Sequence, residues 1–208
     1  MKDIFTLLSF ILLFSLNETH AQINFGSEGT FSNKWHEGTL VLKNKDTLVG
    51  LVKFDDVSDD FTGFSLNSKV KFKSSEKAKK QKFKKKTIDY FEVNNNSEKK
   101  VKYIYLTVKV EGLKLVRVEV EGKINIYTDD YSYWTQDPMI YHKGKKIYAT
   151  KENKKTIDYL FMANAFSSFK KKAIRYFEDC SELITKLENN EYTRKDYLKI
   201  AEDYNSCF

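Results

Sequence analysis

The chain has 208 residues, 41% of them hydrophobic and 15% aromatic, with a formal net charge of +7 at pH 7. That is enough apolar material for one packed domain, and it excludes a disordered chain. Eight glycines and one proline exclude collagen-like and Pro-rich architectures, and two cysteines with three histidines leave little for a metal cluster.

Residues 1–21 read as a signal peptide. Lys2 supplies a positive start, Ile4 to Leu16 form an apolar run, and Ala21 is the small residue before a cut at Gln22. The run is shorter than the roughly 20 residues that a membrane-spanning helix needs, so cleavage is expected to leave no transmembrane segment. No cysteine lies near the cut, which disfavours a lipid anchor. The protein is therefore expected to be exported: periplasmic, outer-membrane-associated or extracellular. Residues 22–208 read as a single domain.

From Gly38 the pattern has period two. Gly38–Lys43 and Thr47–Phe54 flank Asn44-Lys45-Asp46, which reads as a hairpin connection. The second run is apolar on both faces and suits a central strand. The acidic run Asp55–Asp60 lacks EF-hand spacing and reads as a solvated turn rather than a Ca²⁺ loop. Shorter strands are expected at Phe61–Leu66 and Val70–Lys73, then longer ones at Ile88–Val93 and Val101–Val110.

Residues 69–86 hold ten lysines. One reading makes Lys77, Lys79, Lys80, Lys82, Lys84, Lys85 and Lys86 a patch for an anionic surface, touching a membrane peripherally. The other makes the segment a solvated loop whose lysines blunt exposed strand edges. Arg117, Arg175 and Arg194 are the only arginines, and nucleic-acid readout leans on arginine, so no nucleic-acid partner is expected.

Val108-Lys-Val-Glu-Gly112 recurs as Val118-Glu-Val-Glu-Gly122, one strand plus a turn later. Val116, Val118 and Val120 are expected to share one face, opposite Leu115, Arg117 and Glu119. Lys123–Thr128 continues the meander, with Ile124 and Ile126 on one face. A last hairpin is expected to turn at Lys143-Gly144. Tyr131, Tyr133 and Trp134 read either as a stacking platform for a glycan or protein, or as half-buried sheet residues. The hexamer Lys-Lys-Thr-Ile-Asp-Tyr occurs at 85–90 and again at 154–159.

Thereafter the period is helical. Phe166, Phe169, Ala173, Tyr176, Cys180, Leu183 and Leu187 are spaced three and four apart, in one helix or in two joined at Asp179–Ser181. Thr193 and Asp196 resemble a capping box before a final helix carrying Tyr197, Ile200, Ala201 and Tyr204. In such a hairpin Cys180 and Cys207 are neighbours. In an exported chain this favours a structural disulfide over a catalytic thiol or a metal pair.

Together these elements predict an α+β fold. A β-rich part over about 38–150 forms an antiparallel meander of about 8–10 strands, as a curved sheet or a partly open barrel. A helical hairpin over about 163–208 follows it. His36 and His142 stand alone, and no nucleophile elbow, phosphate loop or metal-binding motif occurs. No catalytic or metal-ligating residue is assigned, no cofactor is expected, and the protein reads as non-enzymatic.

Several segments resemble a family of uncharacterised exported proteins typical of Bacteroidota. They are Ala21-Gln22, the strand pair at 38–54, Val118–Tyr127, and the terminal Asp179-Cys-Ser-Glu-Leu and Tyr204-Asn-Ser-Cys207. Ser181 stands where that pattern has proline. The resemblance implies an envelope protein and a cystine pair, and assigns no activity. The function expected is to bind or scaffold another envelope component, a protein or a glycan. The alternative is a carbohydrate- or anionic-surface-binding module.

Overall fold

The computed structural model describes residues 34–54, 58–59, 69–94, 100–108, 111–134, 141–151, 157–162 and 169–208. Within these, the side chains of 58–59, 131–134, 141–143, 158–159 and 161–162 are not described. Ala21, Gln22 and the expected strand at Phe61–Leu66 lie outside the described residues.

Strands β1 (His36–Leu42), β2 (Thr47–Lys53), β4 (Val70–Lys73), β5 (Gln81–Phe83), β6 (Ile88–Asn94) and β7 (Lys100–Val108) form one half of a single sheet. Strands β8 (Gly112–Val120), β9 (Ile124–Trp134), β10 (Tyr141–Lys151) and β11 (Asp158–Met162) complete it. The order is β11-β10-β9-β8-β7-β6-β1-β2-β4-β5, antiparallel throughout, while the two-residue β3 (Ser58–Asp59) pairs parallel with β9. The sheet is open, with β5 and β11 at its edges. The fold is α+β, and its meander is longer than the sequence pattern indicates. The turn expected at Lys143-Gly144 does not form. Instead β10 runs straight through it, with Lys143 opposite Ser132 and Gly144 opposite Tyr131.

The local rules explain the first hairpin. Lys45 takes a left-handed φ of 74°, and the Asn44 and Asp46 side chains bond each other across the turn. β2 lies between β1 and β4, a central strand as its two apolar faces require. Only residues 84–87, including a 3-10 turn at Lys85–Thr87, connect β5 to β6. In a flat sheet β6 would lie four strand spacings away, about 19 Å, which a connection containing a 3-10 turn cannot reach. The sheet must curl, and glycines permit it. A Cβ on Gly38 would stand 2.1 Å from the Glu92 carbonyl oxygen, and one on Gly50 would stand 2.3 Å from that of Lys73.

The curl wraps an inner face around Leu40, Val52, Phe54, Val70, Phe72, Ile88, Phe91, Val93 and Tyr103. Phe54 packs against Phe91 and Tyr103 at centroid separations of 4.7 and 4.8 Å. One register row follows the inner face from Leu40 through Phe91, Tyr103, Arg117 and Thr128 to Ile147. At its far end Ile124, Ile126, Ile147 and Ala149 are covered by three helices, α1 (Phe169–Tyr176), α2 (Ser181–Glu188) and α3 (Tyr197–Ser206).

The expected hairpin is thus three short helices. The first helical run breaks between Tyr176 and Ser181, and extended Cys180 caps α2. Cys180 and Cys207 form the disulfide, tying the start of α2 to the end of α3. The expected capping box is present, with Thr193 and Asp196 bonding reciprocally before α3. Both copies of the repeated hexamer bury their isoleucine as the chain enters a strand, Ile88 into β6 and Ile157 before β11.

The outer face carries a smaller cluster of Val108, Val116, Tyr127, Tyr148 and Ile157. Val118 packs there, but Val120 packs on the helix side. A register shift between Val118 and Val120 breaks the alternation, so these two valines do not share a face.

Candidate functional site

Charged groups fall into two kinds of arrangement. In the first, opposite charges meet. On the inner face Arg117 and Thr128 interrupt the apolar row, and Glu119 accepts from Arg117 Nε at 2.8 Å and from Thr128 Oγ1 at 2.7 Å. Asp130 lies 3.9 Å from both Arg117 and Lys145. Burial, with the Glu119 charge nearby, pushes the Tyr197 phenol up to about 12. Across the sheet, Lys114 donates to Asp129 at 3.0 Å and also pairs with Glu111. Burial pushes the Asp129 carboxyl up, against the pull of Lys114.

The helices are fastened in the same way. Burial would raise the Asp179 carboxyl, but hydrogen bonds from Lys151 and Tyr204 hold it below the ordinary aspartate value. Asp203 is likewise held down by Lys186 and Tyr192 against its partial burial. Asn205 extends the β9 ladder from the helix side. Its Oδ1 accepts from Ile124 N at 2.8 Å and its Nδ2 donates to Ile124 O at 3.4 Å. Gly122 leaves it room, since a Cβ there would stand 2.6 Å from Nδ2. These groups satisfy one another and serve the fold.

The second arrangement has like charges together. The lysine-rich segment is a folded hairpin rather than a loop: β4, a turn over 74–80, edge strand β5 and the 3-10 turn. Val70, Phe72 and Phe83 point into the core, so Lys71, Lys73 and Lys82 stand on the outer face. Lys53 of β2 is opposite Lys71, and Lys71 is opposite Lys82, giving a row of three lysines across three strands. Leu51 is opposite Lys73, whose Nζ lies 4.7 Å from the centre of the Trp35 ring and bonds the Glu76 carbonyl at 3.3 Å. Among the described residues, Lys53, Lys71, Lys77, Lys79, Lys80, Lys82, Lys84 and Lys86 form no ion pair. Lys85 is half-buried in the 3-10 turn, and desolvation lowers its ammonium.

Of the seven lysines singled out in the sequence, strand register places Lys82 in the row, while Lys77, Lys79 and Lys80 lie in the turn and Lys84, Lys85 and Lys86 in the connection to β6. Lys53 joins the row only through its pairing with Lys71, and Trp35 only through its contact with Lys73; neither is signalled by the sequence. Tyr131, Tyr133 and Trp134 lie on β9 opposite Gly144, His142 and Tyr141, and their side chains are outside the described residues. His36 stands on β1, 6.2 Å from the Phe54 ring. With both cysteines joined, neither is a free thiol or a metal ligand. Among the described residues no group of three or more His, Cys, Asp and Glu side chains converges on a metal position. Nor is any helix there long and apolar enough to cross a membrane.

The class of molecule defined so far is an open, curled antiparallel sheet with a disulfide-clamped helical cover at one end and a cationic edge at the other. Compared with protein-family models, curated proteins and solved structures, the chain matches none.

Proposed function

We propose that this is an exported, non-catalytic envelope protein that binds or scaffolds another envelope component, in keeping with its resemblance to the Bacteroidota family of exported proteins. The observation that carries this reading is the hairpin β4–β5. It is folded on the core, yet presents a row of aligned lysines that form no ion pair among the described residues, and like charges directly opposite one another cost stability. The signal-like segment at 1–21 supports export, and the disulfide suits an oxidising compartment. Elsewhere the ion pairs Lys114–Asp129, Lys151–Asp179 and Lys186–Asp203 fasten elements of the fold to one another. The partner on this reading is an envelope protein, glycan or anionic surface.

Co-sedimentation of the exported protein with isolated envelope fractions, at low and at raised salt, tests the reading. Sedimentation with the envelope at low salt is the expected result. A protein that stays in the supernatant at both salt concentrations would overturn it.

A further inference from the structure

Resting on that envelope reading, we infer that the outer face of β2, β4 and β5 is a docking surface for an anionic lipid bilayer. Two features of the face point to a bilayer. The first is the charge: Lys53, Lys71 and Lys82 in one row, with Lys73 beside them. On this face of β1, β2, β4 and β5, Glu37 is the only carboxylate among the described residues, opposite Leu51. Directly opposed like charges repel, and a plane of lipid phosphates is a partner that relieves all three together.

The second feature is the apolar material interleaved with the charge. Val49 is 72% exposed on the central strand β2, two residues from Leu51 on the same face, and Trp35 lies against Lys73 just before β1. Lysine stems covering apolar surface, with Trp at their margin, match a headgroup layer lying over an acyl boundary. A polyanionic sugar chain would engage the lysines but leaves Val49 without a partner. Lysine point charges also suit a diffuse layer of phosphates better than one fixed, bidentate site.

The test mixes the exported protein with vesicles of phosphatidylcholine alone, and with vesicles that also contain phosphatidylglycerol. Sedimentation should occur only with the anionic vesicles and weaken as salt is raised. The triple variant Lys53→Gln/Lys71→Gln/Lys82→Gln should bind them about 100-fold more weakly. The equally neutralised Lys171→Gln/Lys172→Gln/Lys195→Gln, on helix surface remote from the row in sequence, should stay within about threefold of the parent. In Trp134→Phe, which leaves Trp35 as the sole tryptophan, emission should shift to the blue when anionic vesicles are added.

Equal losses in the two triple variants would reduce the effect to net charge and overturn the inference. So would binding with Trp35 emission unmoved. Binding to a soluble anionic polysaccharide without binding to vesicles would overturn it in favour of a glycan. A protein that ignores vesicles yet sediments with envelope fractions would sink this inference and leave the envelope reading intact. Failure in both assays would sink both.

Discussion

The two ends of the sheet use charge in opposite ways. At the helical end opposite charges meet: Asp179 with Lys151, Asp203 with Lys186, and Asp129 with Lys114 across the sheet. At the β2–β4–β5 end lysine faces lysine. The apolar core beneath the lysine end comes from the strands, while at the helical end residues of the helical cover such as Phe177, Leu183 and Ile200 pack over Ile124, Ile126 and Ile147. What distinguishes the ends is that one must hold separate helices onto a sheet, whereas the other is held by its own ladder. Charge that the fold does not need is available for a partner.

The comparison can be broken first at the disulfide. Its residues are 27 apart, and closing a loop of that size is worth about 3–4 kcal/mol in the chain-entropy model. Cys180→Ser/Cys207→Ser should lower the urea midpoint accordingly, and reductant should do the same to the parent and nothing to the variant. The Asn205 clamp comes next. Asn205→Ala strands the Ile124 N–H and should cost about 1–3 kcal/mol in the same measurement. Gly122→Ala should reproduce part of that loss by displacing the amide, and should add little on top of Asn205→Ala.

Acid sharpens the contrast between ends. Asp179 and Asp203 have depressed folded-state pKa values, so their contribution is fully present above the unfolded aspartate value near 4. It is lost as pH falls through the lower folded values. Asp129 has a raised value and acts in the opposite sense, because protonation relieves its burial. Thermal melts from neutral pH to pH 3 should therefore show Asp179→Asn losing less stability on acidification than the parent. A variant with the parent's full acid loss would show that the Lys151–Asp179–Tyr204 contact contributes nothing.

The smallest effect should lie at the lysine row, with an unusual sign. Lys71→Gln removes the middle of three like charges and should stabilise by about 0.5 kcal/mol, less as salt is raised. A loss of stability instead would mean that the row is held by something other than repulsion balanced by the ladder.

Much of this was legible in the sequence because it is local. The turn at Asn44–Asp46, the strands at Val70–Lys73 and Ile88–Val93, the Thr193–Asp196 box and the helical spacing of Ala173, Leu183 and Leu187 all depend on neighbours within one turn or one strand. The errors lie where neighbours in space overrule neighbours in sequence. Lys143-Gly144 has turn chemistry, but the long β9 ladder holds it extended. Val120 continues the alternation of Val116 and Val118 until a register shift sends it to the other face. The helix start at Ser181, by contrast, is one of the two arrangements that the sequence spacing offers.

By itself the sequence determined the class of fold and the pairing of the two cysteines, because periodicity, caps and turns are properties of short stretches of chain. Only the tertiary structure decided that Lys53, Lys71 and Lys82 share a row and that Asn205 reaches the backbone of Ile124. Strand register and helix docking join residues tens of positions apart, and a shift of one residue would send every side chain of a strand to the opposite face.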